Sequence, residues 1–184
     1  MTTVYFVRHA HSVYTPDELG RPLSSEGMMD AERVTEILGE APIEVVLSSP
    51  YRRAIQTVQG AADYFGLTVE VHENLKERTL SKVPIGDFAT AIKKVWQEPD
   101  FSWKDGESNN EAQSRGIQIF EHILEKYDGK NIVIGSHGNI MVLIMNHYNS
   151  AFDLSFWNNL DMPDIYKLIF NNSKLISVEK LWER

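Results

Sequence analysis

The stretch VYFVRHAHS, residues Val4–Ser12, determines how the rest of the chain is interpreted. Its first four residues, Val4–Val7, are apolar and typical of a buried β-strand. Arg8 and His9 follow at once, although charged and polar side chains are costly to hold near a core. A strand that ends on a guanidinium and an imidazole therefore needs an explanation, and a functional site at its carboxyl end is one.

The length and composition are those of a globular protein. The chain has 184 residues, enough for one domain with a sizeable core but short for two, so we expect one domain over residues 1–184. No apolar run approaches the roughly 20 residues that span a bilayer. The start, MTTVYFVRHA, lacks the pattern of a secretory signal, so we expect a cytoplasmic protein without membrane association.

The charge and the cysteine count exclude several classes of function. A net charge of −8 argues against general nucleic-acid or acidic-membrane binding, which needs a basic face. A small anionic substrate remains compatible, provided that a few cations converge in one cleft. The absence of cysteine excludes disulfides, thiolate catalysis and thiolate metal sites.

Short apolar runs alternate with longer helical patterns along the chain. This alternation predicts a three-layer α/β/α sandwich with a mainly parallel central sheet. Strands are predicted at Val4–Val7, Val45–Leu47 and Ile132–Ile134, with less regular patterns at Val69–Val71, Tyr166–Phe170 and Leu175–Val178. Helices are predicted at Ser25–Leu38, Arg53–Phe65, Asn109–Tyr127 and Asn139–Tyr148.

Residues 72–110 differ from the rest of the chain, being rich in proline, glycine, aromatic and charged residues. We interpret this stretch as an excursion from the sheet that covers the substrate, with a short helix at Asp87–Gln97. Its aromatic residues either line a substrate pocket or simply pack the excursion onto the sheet; they are Phe88, Trp96, Phe101 and Trp103.

Polar residues follow three of the predicted strands. In parallel α/β sheets the carboxyl ends of the strands lie along one edge, where ligands bind. The three polar segments are Arg8-His9, Ser48-Ser49-Pro50 and Gly135-Ser136-His137-Gly138. We therefore expect His9 and His137 at the same edge, with Arg53 close by at the start of the next helix.

Each of these residues also has a structural explanation when taken alone. A buried arginine paired with a carboxylate would account for Arg8, and a loop histidine with satisfied hydrogen bonds would account for His137. Three strand ends that carry the same chemistry favour a shared site instead. Arginine offers a planar fork suited to phosphate oxygens, and a neutral imidazole can attack phosphorus. The combination indicates phosphoryl transfer through a phosphohistidine.

Six stretches, taken together, resemble the histidine phosphatase superfamily, in its phosphoglycerate-mutase-like branch. They occur in the family's order and cover most of the chain up to Tyr148. The stretches are Val7–Ser12, Pro22–Gly27, Ser48–Thr57, Leu75–Arg78, Gly106–Ser108 and Ser136–Asn139.

The resemblance implies a role for each of the residues at the strand ends. His9 matches the nucleophile that becomes transiently phosphorylated, and Arg8 and Arg53 match the two arginines that hold the phosphoryl oxygens. Arg53 is preferred to Arg52 because the family arginine directly precedes an alanine. His137 matches the second histidine of the pocket, which donates to a phosphoryl oxygen.

The resemblance also places Glu77 as the proton donor to the leaving group, with Glu73 as the alternative carboxylate. Ser12 and Thr15 fall among the phosphate-binding positions. Thr15 stands where many members have an asparagine that touches the phosphate, and Ala10 replaces the commoner glycine. The segment Ile85–Phe88 only approximates the family's glycine-aromatic-glutamate-glycine motif.

The function implied is that of a phosphomonoesterase acting on a small phosphorylated metabolite, with no metal and no cofactor. One alternative is a phosphoglycerate mutase, but the chain is short for that branch, and residues 72–110 lack the long basic insertions typical there. The other is a non-catalytic module that binds a phosphorylated ligand. Degenerate members of that kind usually lose the nucleophile or an arginine, and this chain keeps both.

Overall fold

The computed structural model describes all residues, 1–184, and contains one six-stranded sheet. The strands are β1 (Thr2–Arg8), β2 (Val45–Ser48), β3 (Val69–Val71), β4 (Asn131–Ser136), β5 (Asp164–Asn171) and β6 (Lys174–Lys180). They lie in the order β3-β2-β4-β1-β5-β6. The first four in this order run parallel, whereas β5 is antiparallel to both β1 and β6.

Helices cover both faces of the sheet, as the alternation of side chains along β1 requires. The helices are α1 (Ser25–Gly39), α2 (Arg52–Tyr64), α3 (Phe88–Gln97), α4 (Asn109–Lys126), α5 (Gly138–Tyr148) and α6 (Leu154–Asn158). Val4 and Phe6 belong to a core shared with α4 and α5, while Tyr5 and Val7 belong to a second core shared with α1 and α2.

The predicted three-layer fold is confirmed, and the predicted elements agree with the structure apart from small differences at their ends. Two features were not predicted. Helix α6 has five residues, too few to show a helical period in the sequence. The antiparallel direction of β5 arises because residues 149–163 return the chain to the carboxyl end of β1, where Asp164 pairs with Arg8, and apolar patterns do not encode this path.

The excursion leaves the sheet after β3, passes through a 3₁₀ turn at Glu73–Leu75 and the helix α3, and returns at α4. Its aromatic residues behave differently from one another. Trp96 packs against the core, and Phe101 and Trp103 form an edge-to-face pair with ring centroids 4.9 Å apart. Only Phe88 lines a cavity next to the candidate site. None of the helices has the length and apolar character needed to cross a membrane.

Candidate active site

Three adjacent parallel strands bring the predicted site residues together. Arg8 at the end of β1 is paired with Ser136 of β4, and Ser48 of β2 is paired with Gly135 of β4. The next residues along these three strands, His9, Ser49 and His137, therefore emerge at the same edge of the sheet. The rings of His9 and His137 lie with centroids 5.1 Å apart.

The His9 imidazole is held in one tautomer. Its Nδ1 donates to the carbonyl oxygen of Ala10 at 2.7 Å, which leaves Nε2 with a free lone pair in the neutral ring. Burial, together with the charges of Arg53, Arg8 and Arg21, lowers the pKa of His9 to about 3, although the bond to Ala10 opposes the shift. His9 is therefore neutral at physiological pH.

His137 is completely buried between His9 and the start of α2. Its Nε2 lies 2.7 Å from the hydroxyl oxygen of Ser49, which also accepts from the backbone N–H of Tyr51. The Tyr51 ring contacts the imidazole edge-to-face at 4.9 Å. Burial lowers the pKa of His137 well below its ordinary value, so this ring is neutral too. Ser49 and Tyr51 were not predicted individually as site residues, although both lie in the Ser48–Thr57 stretch.

Arg8 lies against the turn that follows β4. Its Nη1 donates to the carbonyl oxygen of Asp161 at 3.1 Å, while its Nε is buried without a partner. The guanidinium packs so closely on Gly138 that a Cβ at that position would lie 3.0 Å from Nε. The glycine after His137 therefore permits Arg8 to reach the site.

Arg53 is the buried member of the Arg52-Arg53 pair, with only 5% of its side chain exposed, whereas Arg52 is exposed. Its Nη1 donates to the backbone oxygen of Glu18 at 2.9 Å, and its Nη2 lies 3.3 Å from a carboxylate oxygen of Glu18. The guanidinium also stacks 4.7 Å above the ring of Tyr51. The structure thus buries Arg53 and exposes Arg52; that Arg53 binds the phosphate stays a prediction.

A third arginine, Arg21, reaches the same place and was missed. Its charge contributes to the lowered pKa of both His9 and Arg53, while its Nη2 donates to the carbonyl oxygen of Thr15 at 3.0 Å. A signal was available, since Arg21 directly precedes the Pro22–Gly27 stretch. Three guanidinium groups therefore lie close enough to His9 for their charges to lower its pKa, an arrangement that suits a dianion.

Glu77 lies over the first turn of α5, directly beside His137. Its carboxylate accepts from the backbone N–H groups of Arg78, Asn139 and Ile140 at 2.8, 3.0 and 2.9 Å. Burial raises the pKa of Glu77, and these three hydrogen bonds and the Arg78 charge oppose the rise. The alternative carboxylate, Glu73, is 71% exposed and pairs with Lys76, away from this turn.

The loop that carries Glu77, residues 74–80, is anchored by one ion pair. The Arg115 guanidinium makes two hydrogen bonds to the Glu107 carboxylate, at 2.8 and 2.9 Å, and donates to the backbone oxygens of Asn74 and Lys76. Glu107 in turn accepts from the backbone N–H of Thr79 at 3.1 Å. Both members of the pair are largely buried, and through these contacts they hold the loop in position.

A close approach between two backbone segments requires the glycine of the Gly106–Ser108 stretch. A Cβ at residue 106 would lie 1.9 Å from the carbonyl oxygen of Leu80, so only glycine permits the two segments to approach. Ser108 then caps α4 in a capping box with Glu111. This stretch therefore belongs to the scaffold of the Glu77 loop.

Ser12 and Thr15 lie on the loop between β1 and α1. Ser12 forms an isolated backbone bridge with Leu23, and the Thr15 hydroxyl donates to the carbonyl oxygen of Asp17 at 2.9 Å. The structure thus gives Thr15 a partner within its own loop. A phosphate contact from either residue stays a prediction.

The comparisons with known proteins agree with this geometry. The family model described as histidine phosphatase superfamily, branch 1, matches residues 4–179. The chain belongs to the histidine phosphatase superfamily. The resemblance stated from the six stretches is therefore confirmed.

Individual members of the superfamily are distant relatives. A putative phosphoserine phosphatase 2 from Hydrogenobacter thermophilus is 23% identical, over 98% of this chain and 97% of the relative. A 2,3-bisphosphoglycerate-dependent phosphoglycerate mutase from Cytophaga hutchinsonii is 25% identical, over 80% of this chain and 77% of the relative. The structure of Entamoeba histolytica phosphoserine phosphatase with 3-phosphoglyceric acid superposes with a TM-score of 0.82, at 18% identity, covering 100% of this chain and 98% of that one. At that identity the superposition shows the shared fold.

Proposed function

We propose that this protein is a phosphomonoesterase that hydrolyses its substrate through a phosphohistidine at His9. One observation carries the proposal. The Nε2 lone pair of His9 is held free by the bond from Nδ1 to Ala10, in a place surrounded by Arg8, Arg21 and Arg53. A neutral nucleophile amid three fixed cations is the arrangement that attack on a phosphate dianion requires.

In the first step His9 Nε2 attacks the phosphorus atom, and the bond from phosphorus to the leaving oxygen breaks. The arginines neutralise the phosphoryl oxygens as charge develops, and His137 donates to one of them. Glu77, protonated at this stage, gives its proton to the leaving alkoxide. Burial already raises the pKa of Glu77, and the negative charge of the bound phosphate raises it further.

In the second step Glu77, now ionised, takes a proton from a water molecule. The water oxygen attacks phosphorus, the bond from phosphorus to His9 breaks, and inorganic phosphate leaves. The residues are restored to their starting protonation states, so the cycle balances. The second step needs Glu77 as a base and the first needs it as an acid, which requires a pKa near the operating pH.

The substrate class that we propose is a small phosphorylated metabolite. The curated relatives named as a phosphoserine phosphatase and a phosphoglycerate mutase both act on such compounds, to judge by their names. We propose that residues 1–184 form one catalytic domain that works in the cytoplasm, without a metal ion or other cofactor. Among its residues no group of three or more histidine, aspartate or glutamate side chains is arranged to hold a metal.

A phosphate-release screen over metabolite phosphomonoesters, with His9→Ala beside the unmodified protein, tests the proposal. We expect release from at least one ester, abolished in His9→Ala and unchanged by EDTA. Activity that survives His9→Ala, or that EDTA removes and a divalent ion restores, would contradict it.

The Cytophaga relative makes phosphoglycerate mutase the competing activity. A coupled assay for conversion of 3-phosphoglycerate to 2-phosphoglycerate separates the two. We expect net phosphate release and no conversion. Conversion faster than release would replace the hydrolase with a mutase.

A further inference from the structure

A cavity of about 480 Å³ opens beside the reacting groups and meets them at Glu77 and Tyr51. Because Glu77 is the proposed proton donor to the leaving group, the leaving group of a phosphate ester held by His9 would extend into this cavity. Besides Tyr51, six of its fourteen lining residues are apolar or aromatic: Tyr14, Leu80, Val83, Pro84, Ile85 and Phe88.

Two arginines line this cavity. Arg78 is 5% exposed and donates to the side-chain oxygen of Asn109 and the backbone oxygen of Glu107. Arg21 donates to the carbonyl oxygen of Thr15 and stacks on the Tyr14 ring at 4.7 Å, but it has no carboxylate partner, so its charge is available to a bound phosphate. Once the phosphate engages Arg21, the cavity offers no further free cation to a second anionic group of the substrate.

Glu18 is the exposed carboxylate at this cavity. Its side chain is 58% exposed, and its contact with Arg53 is a single one of 3.3 Å. Although Arg53 is buried, the Glu18 carboxylate is exposed to water and makes only this one contact, so a bound phosphate dianion can displace it from Arg53. The displaced carboxylate remains at the cavity, next to the leaving group.

We infer that the leaving group of the natural substrate is uncharged and partly apolar, and that Glu18 enforces this choice by repelling a second anionic group. The inference rests on the proposed phosphatase function and adds the class of substrate to it. Glu18 also competes with phosphate for Arg53, so it weakens the binding of the phosphate product. Specificity then arises from a repulsive element as well as from the apolar lining.

Two matched substrates test the inference: 4-methylbenzyl phosphate and 4-carboxybenzyl phosphate. The leaving alcohols have similar reactivity because the carboxylate is separated from the reacting oxygen by the ring and a methylene. We expect kcat/KM to be about tenfold higher for the methyl compound, from like-charge repulsion at a partly exposed site. The ratio should fall towards one in Glu18→Gln and shrink as salt is added.

Glu98→Gln is the matched control, because it removes an equally exposed carboxylate that does not line the cavity. It should leave the ratio unchanged. A second readout is inhibition by inorganic phosphate, which should become severalfold tighter in Glu18→Gln and not in Glu98→Gln.

The outcomes separate the inference from the function on which it rests. If neither benzyl phosphate is hydrolysed, nor any ester in the screen, the proposed function fails. If both are hydrolysed in a manner that depends on His9, but with a ratio near one or a ratio that Glu18→Gln does not change, the function stands and the inference is overturned.

Discussion

The two halves of the candidate site are held by different means. The strand-end half, His9, Ser49 and His137, is fixed by the backbone ladder of three buried parallel strands. The loop half, Glu77, is fixed by side chains distant in sequence, through the Glu107–Arg115 pair and the backbone N–H groups of α5. The phosphate-binding side is thus part of the core, whereas the acid-base side depends on a few replaceable contacts.

The largest effect expected is on the strand-end half. His9→Ala should reduce kcat by roughly 10⁴-fold or more, because it removes the nucleophile itself. The loss should be the same for alkyl and aryl phosphates, since neither can be attacked. Steady-state kinetics on both substrate types, with circular dichroism to confirm folding, measures it. A loss confined to alkyl phosphates would assign His9 to leaving-group chemistry instead.

The next largest effect concerns the loop half and should depend on the leaving group. Glu77→Gln should slow alkyl phosphates by roughly 10²–10⁴-fold, the usual contribution of general acid catalysis. Aryl phosphates need little protonation and should lose less. Glu73→Gln is the control and should change neither rate. Equal losses on the two substrate types would remove Glu77 from the acid role.

A smaller effect of the same type is expected for Arg115, which holds the loop that carries Glu77. Arg115→Lys should break the two-bonded pair with Glu107 and reduce the rate on alkyl phosphates by about 10–100-fold, because a shifted acid is poorly aligned. Aryl phosphates should again be affected less, which a loss of folding could not produce. Arg33→Lys, an exposed arginine of α1, serves as the control. An identical loss on both substrate types would make Arg115 a purely structural residue.

The smallest effect concerns stability. The pKa of His9 is about 3 in the folded protein and 6.5 in the unfolded chain. Between these pH values the unfolded chain therefore binds one more proton at His9 than the folded protein does. Stability conferred by neutral His9 is therefore complete above pH 6.5 and falls as the pH decreases towards 3.

Urea unfolding in phosphate-free buffers measures this effect. The free energy of unfolding of the unmodified protein should decrease as the pH falls from 6.5 to 4.5. In His9→Gln this decrease should be roughly 2 kcal/mol smaller. His122→Gln, which changes an exposed histidine, should keep the full loss. Identical pH dependence in all three proteins would mean that His9 is not held neutral by the fold.

The strand-end half could be predicted from sequence because its geometry follows from local patterns. Apolar runs that end in Arg8-His9 and in Ser136-His137 place these residues at one edge of a parallel sheet, whatever the loops do. Arg53 follows from its position at the start of a helix. The family resemblance added Glu77 and preferred it to Glu73; the structure buries Glu77 at the start of α5 and exposes Glu73, and the acid role stays a prediction.

The remaining features depend on contacts between segments that are distant in sequence, and no local pattern encodes such contacts. Arg21 and Glu18 lie on a loop whose path is set by the bridge between Ser12 and Leu23. The ion pair between Glu107 and Arg115 connects the segment before α4 and α4 itself to the loop that carries Glu77. Each of these contacts is specified by tertiary packing, so the sequence showed the residues without their partners.

The central claim is that a phosphoryl group passes through His9. The most direct measurement is rapid acid-free quenching of the protein with labelled substrate, followed by peptide mapping of the label. The account predicts a phosphoryl group on His9 that is stable to alkali and labile to acid, formed as fast as the alcohol is released and absent from His9→Ala. Turnover with no label at any residue, or with the label on a residue other than His9, would contradict it.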